Sequence, residues 1–175
     1  MVKAGSAESG LLFVGTLYSD PEIFSRSKEI LQQTFGDMLF TSPPSPWDYS
    51  LYYKDELGWP ILRQFIFFEE LIDTGSLPDI KLKTNEIEER LSFNNRRGIN
   101  LDPGYLTLAK VVLASTKNYS HRIYLGEGIY GEVTLIYEDK TFKPHLFTYR
   151  DFQDRGCIEL FMSARAMLKK ILDQR

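Results

Sequence analysis

A chain of 175 residues with 43% hydrophobic and 26% charged side chains is long enough to bury one core without covalent staples, as an ordinary globular domain does. A net charge of −3 argues against bulk electrostatic binding of nucleic acid or anionic membrane and leaves room only for a local basic groove. Cys157 is the single cysteine, which excludes a disulfide framework and a cysteine zinc site; with no apolar run of bilayer length, the cytoplasm is the expected compartment.

Residues 1–10 are small and polar and read as a flexible tail ahead of one domain spanning 11–175. Gly5 and Gly10 have phosphate-loop spacing, but Leu11 and Leu12 stand where Lys and Ser or Thr are required. Leu11–Tyr18 is an apolar run of strand length. Ser19-Asp20-Pro21-Glu22 then supplies a capping oxygen, a first-turn proline and a glutamate for a helix that Gly36 stops. Asp37–Thr41 reads as a second strand, broken by Ser42-Pro43-Pro44-Ser45-Pro46. The ring-rich run 47–59, with Trp47, Tyr49, Tyr52, Tyr53 and Trp59, is expected to pack onto the sheet, the alternative being a ligand- or partner-contacting loop. Leu62–Leu71 should be a central strand. Asp79–Thr84 alternates polar and apolar, which predicts a strand with helix as the rival, and Asn85 then caps a helix to about Phe93.

The central block holds most of the residues able to bind anions or move protons. Ile99–Leu101 reads as a brief strand ended by Asp102-Pro103-Gly104, a turn or the cap of the next helix. That helix, Gly104 to Thr116, would set Lys110 and Lys117 on one face, either as a solvated lysine stripe or as two cations aimed at a phosphate. A hairpin follows. Matching the apolar faces pairs Ile123 with Val133 and Tyr124 with Glu132, since a one-residue slip would bury Glu132. Arg122 then lies diagonal to Glu132 as an exposed cross-strand ion pair, and His121 faces the core. Between Leu125 and Val133 the tip matches the kinase glycine loop, but no other kinase motif is present, and a strand follows where a dinucleotide fold needs a helix. What remains is a hairpin tip in which Gly126 and Gly128 let the backbone approach a ligand or simply turn. Two histidines, His121 and His145, without ligand spacing give no metal site. From Asp154 the chain reads as a helix with Ile158, Phe161 and Leu168 in its buried stripe.

Thr84-Asn85-Glu86-Ile87-Glu88, Asn100-Leu101-Asp102-Pro103-Gly104-Tyr105 and Lys117 through Leu135 together resemble the prokaryotic family catalogued as domain of unknown function 4416, over nearly the whole chain. The resemblance implies a small, single-domain, prokaryotic cytosolic protein and brings no catalytic residues with it. Some members carry a GTP-binding label, but Thr116-Lys117-Asn118-Tyr119 has Tyr where a guanine-reading Asp would stand. Gly131 and Phe147 depart from the family pattern, where Ala and Trp are usual.

The expected architecture is α+β: a single domain with a mixed, largely antiparallel sheet and helices mainly on one face. The expected function is binding of a phosphorylated or nucleotide-like small molecule, possible for an enzyme as well as for a binding protein. Asn85, Asp102, Lys110, Lys117, His121, Arg122, Gly126, Gly128 and Glu132 are the candidate ligand-binding residues. The alternative is a non-enzymatic protein- or RNA-interaction module using the 47–59 loop and Arg96-Arg97. Nothing in the sequence specifies a cofactor.

Overall fold

Alternation along one strand decides the layering. In β1 (Ser9–Tyr18), Leu11 and Phe13 point to one side and Leu12 and Val14 to the other, and all four are buried, so both faces of the sheet need cover. The computed structural model describes residues Met1–Arg175 and places β1 near the middle of a nine-stranded sheet whose pairings are all antiparallel. The other strands are β2 (Met38–Thr41), β3 (Ser45–Pro46), β4 (Leu62–Asp73), β5 (Ile99–Leu106), β6 (Lys110–Ser115), β7 (Ile123–Gly126), β8 (Ile129–Glu138) and β9 (Thr141–Lys143). Their order is β2-β4-β1-β5-β6-β8-β7, with β3 on β4 and β9 on β8. Residues 1–8 contain no helix or strand.

The face carrying Leu12, Val14, Ile66 and Phe68 packs against α1 (Pro21–Phe35) and α3 (Leu77–Arg90). The face carrying Leu11, Phe13, Phe65 and Phe67 packs against α5 (Arg155–Asp173), whose Phe161 meets the Phe13 ring edge-on at 5.0 Å. Two further helices, α2 (Lys54–Leu57) and α4 (Arg150–Gln153), are single turns. The α+β domain read from the sequence is therefore what the chain adopts. Two of its three long helices share a face, and the third covers the other. No helix is long and apolar enough to cross a membrane.

Helix α1 starts as read, with Asp20 accepting the Glu22 N–H at 2.8 Å and Pro21 in the first turn. Ser19 takes no part in that cap; its hydroxyl donates to the Leu57 carbonyl and holds α2 down. Three expectations fail. Residues 79–84 are helical, because Ile80, Lys81, Thr84, Ile87 and Glu88 form one buried stripe at helical spacing. Asn85 accordingly sits inside α3 and caps nothing. The helix expected over 104–116 is instead the strand pair β5 and β6, joined at a turn where the Thr107 N–H donates to the Lys110 carbonyl at 2.9 Å. Val111 and Val112 suit a strand, and Asp102-Pro103-Gly104 runs straight through β5 without turning.

Gly104 is required by that straight run. It lies opposite Phe13, and a Cβ built on it would fall 2.5 Å from Phe13 Cζ and against the Val112 carbonyl oxygen. Gly104→Ala is expected to destabilise the fold by about 3 kcal/mol, since neither the ring nor the backbone can yield. Urea unfolding should show a lower midpoint at an unchanged m-value.

Candidate functional site

The site begins with a hydrogen bond that cannot form. Strand β5 pairs with β1 along its whole length but with β6 only through Gly104, Tyr105 and Leu106. Leu101, Pro103, Tyr105 and Thr107 turn the same backbone edge toward β6, as the Thr107–Lys110 bond fixes. Pro103 has no N–H, so the rung to Ala114 is left half made and the two strands part below it. Helix α3 takes the place of the lost strand at Leu101. Glu88 Oε1 accepts the Leu101 N–H at 2.6 Å, and Lys81 Nζ donates to the Leu101 carbonyl at 3.1 Å.

A cavity of about 340 Å³ occupies the split. Its floor comes from Leu17 of β1, Arg63 of β4, Asn100 and Asp102 of β5, Ser115 of β6 and Glu132 of β8. Lys81, Asn85 and Glu88 enter from α3, Lys117 from the end of β6, and Trp47, Tyr52, Tyr53 and Tyr149 roof it. The roof is tied down: Trp47 Nε1 donates to Asp151 at 3.0 Å, and Arg97 donates to both oxygens of Glu56 at 2.6 and 2.7 Å. Arg97 also reaches Glu88 at 3.0 Å and Asn100 at 3.1 Å, linking roof, helix and floor.

Two charged groups form the far wall. Arg122 Nε donates to Glu132 at 2.9 Å with both side chains 2% exposed. The same guanidinium reaches Ser115 Oγ and the Lys117 carbonyl at 3.0 Å and the Tyr149 hydroxyl at 2.7 Å. His121 Nε2 meets the same Glu132 oxygen, Oε2, at 2.8 Å, its ring stacked 4.6 Å from Phe147. This corrects the expected hairpin register. Ile123 pairs with Gly131 and Tyr124 with Tyr130, two residues from the apolar match, while Glu132 is buried and Val133 is exposed. Burying Glu132 is acceptable because Arg122, in the turn before β7, is buried with it.

Arg63 differs from the other cations. Its Nη2 pairs with Asp151, yet its buried Nε and Nη1 have no acceptor. The guanidinium lies over Gly15, where a Cβ would come within 2.9 Å of Nη1, and 5.1 Å from the Phe65 ring centroid. Burial raises the Glu88 pKa, opposed by Lys81, the Leu101 N–H and Arg97. The Arg97 hydrogen bond holds Glu56 below the usual carboxylate range, burial opposing it. Burial pulls the Arg122 guanidinium down, but Glu132 and Tyr149 together more than reverse it, so the net direction is up.

Of the residues singled out in the sequence, Asn85, Asp102, Lys117, Arg122 and Glu132 line the cavity, and His121 stands behind Glu132. Lys110 does not belong: it opens β6 opposite Ile136, roughly 20 Å of strand from Lys117. Gly126 and Gly128 do not belong either, as they turn at positive φ around Glu127 with nothing within 4 Å of a Cβ on either. Arg63, Lys81, Glu88 and Tyr149 also line the cavity without having been candidates, and Arg97 and Tyr53, expected at most on a partner-contacting surface, line it too. Lys81, Asn85 and Glu88 stand at i, i+4 and i+7, a helical stripe that the strand reading of 79–84 concealed.

The chain matches the family described as Domain of unknown function (DUF4416) over residues 8–168 and belongs to it. Neither the curated proteins nor the solved structures contain a match to it.

Two outcomes test the site's wiring. Glu132→Ala leaves Arg122 buried without a counter-charge and should cost about 3–5 kcal/mol in chemical denaturation, with Glu132→Gln costing less. Because Glu56 has a lowered folded-state pKa, its contribution is present above the ordinary value of 4.5 and is lost as pH falls through the lowered one. The stability difference between wild type and Glu56→Gln should therefore be constant above that pH and shrink below it.

Proposed function

We propose that this member of the DUF4416 family binds a small phosphorylated, nucleotide-like ligand in the split between β5 and β6, with the anionic group at Arg63. The observation that carries the reading is the pair of buried Arg63 N–H groups without an acceptor. Donors of a buried cation left unpaired cost free energy that a bound anion would recover. The other guanidinium groups at the site are engaged: Arg97 by Glu56, Glu88 and Asn100, and Arg122 by Glu132, Ser115, Lys117 and Tyr149. Lys117 has no hydrogen-bond acceptor for its amine, which lies 5.3 Å from the Tyr52 ring centroid, so a second cation is free to meet a phosphate at the rim. Tyr52, Tyr53 and Trp47 give the roof the aromatic surface that a planar group stacks on.

The alternative, an interaction module presenting the 47–59 loop and Arg96-Arg97, has less behind it. Trp47 is buried on Asp151, and Arg97 is spent inside the molecule. Tyr49, Leu51, Tyr52, Trp59 and Arg96 do face outward there, but they are interspersed with the exposed polar residues Asp48, Ser50, Lys54 and Asp55.

A thermal-shift panel of ribose 5-phosphate, hexose phosphates and nucleoside phosphates tests the reading. A true ligand at 100 times its Kd stabilises by about 2.7 kcal/mol, a shift of several degrees. Arg63→Met and Arg63→Lys should both abolish that shift, and a panel without any stabilising member would refute the proposal.

A further inference from the structure

Lys81 brings a buried ammonium group to the cavity. Its side chain is 8% exposed, and of its three N–H groups only one is bonded, to the Leu101 carbonyl at 3.1 Å. Asp102 Oδ1 stands 3.6 Å from that ammonium, too far for a hydrogen bond, and accepts from nothing else, while Oδ2 takes the Asn100 amide at 2.6 Å. Cation and carboxylate therefore lie side by side without closing on each other. Asn85, one helical turn from Lys81 on the same face of α3, and Tyr53 in the roof line the same cavity. Neither the Asn85 amide nor the Tyr53 hydroxyl is bonded within the protein. Burial, and after it the Asp102 charge, raise the Tyr53 pKa, which puts the roof hydroxyl near that carboxylate and keeps it protonated.

We propose that Lys81, Asp102 and Asn85 bind the vicinal hydroxyl groups of a sugar, so that the phosphorylated ligand carries a sugar diol between β5 and α3. A hydroxyl is the neutral group that accepts from an ammonium and donates to a carboxylate at once, and one oxygen beside the Lys81–Asp102 pair reaches both. A carbonyl or ether oxygen satisfies Lys81 but offers Asp102 nothing. A second anionic group is repelled by Asp102, and a cation by Lys81. The Asn85 amide, donor and acceptor together, serves the neighbouring hydroxyl. Asp102 lies opposite Gly15, over which the Arg63 guanidinium sits, and adjacent strands are about 4.8 Å apart. The hydroxyl position and the anion position thus fall within the span of one phosphorylated sugar. The inference rests on the ligand-binding reading above and adds the sugar to the anion.

Isothermal titration of the full chain with ribose 5-phosphate, glucose 6-phosphate and AMP, each beside its 2-deoxy and 3-deoxy forms, tests it. Every vicinal ring diol on these compounds includes carbon 2 or carbon 3. At least one parent should bind tenfold or more tighter than one of its deoxy forms, because a site built to hydrogen-bond a hydroxyl rejects the analogue that lacks it. Which parent does so separates a free sugar phosphate from a nucleotide. Asp102→Ala should remove that preference without weakening the deoxy form. A preference under tenfold for every parent, or one that Asp102→Ala leaves intact, overturns the diol while the phosphorylated ligand stands. No binding by any of them overturns both.

Discussion

One backbone nitrogen that cannot donate organises the polar half of this molecule. Pro103 sits where β5 and β6 would otherwise continue to zip together, and the pairing ends there. Proline inside a sheet is tolerated only where its missing N–H meets no obligate acceptor, and here the sheet opens around it. The opening is not left to water alone. Helix α3 already packs on β5 through Ile80 and Ile87, and it sends Lys81 and Glu88 to the polar groups of Leu101. The helix thus stands in for a strand over one residue, and the cavity is the space it does not fill.

The sheet face that bears the cavity changes character along its strands. At one end Phe13, Phe65, Phe67 and Phe161 make a ring cluster under α5. At the other, Arg63, Asn100, Asp102, Ser115 and Glu132 occupy the same side of the same strands. Their charges are mostly matched: Arg122 with Glu132, Arg97 with Glu56 and Glu88, Lys81 with Asp102 at 3.6 Å. Buried pairs of this kind contribute little net stability, because desolvation offsets attraction, but they fix side-chain geometry strongly since breaking one strands a charge. Arg63 stands at the border between the two halves, its guanidinium beside the Phe65 ring and its Nη2 on Asp151. Gly15 makes that position possible by presenting no side chain beneath it.

The frame was legible in the sequence, because apolar alternation in β1 and β4 and the capped start of α1 are local signals that tertiary packing reinforces. The site was legible only in part. Arg122 and Glu132 were found as a pair, but apolar matching placed them on the surface, since pattern alone cannot show that a buried carboxylate brings its own cation. Lys81 is hidden in an alternating run, residues 79–84, that fits a strand and a helix almost equally, and Glu88 looks like an ordinary first-turn glutamate of a helix starting at Asn85. Asp102-Pro103-Gly104 has turn composition, and what overrode it is non-local: the Phe13 ring across the sheet needs a glycine, and β5 needs to end its pairing with β6. Lys110 looked close to Lys117 only because a helix was assumed between them. In a strand, seven residues separate side chains by roughly 20 Å along the chain direction.

The roof and the floor of the cavity are coupled through shared partners, which bears on how a ligand could be held. Asp151 accepts from Trp47 in the roof and from Arg63 in the floor, and Arg97 joins Glu56 of α2 to Asn100 of β5. Arg63 Nη2 is held by Asp151, which fixes the guanidinium before any ligand arrives. A site whose vacant hydrogen-bonding positions are already fixed by the fold loses little conformational freedom on binding, and that economy favours a small, rigid ligand over a flexible chain.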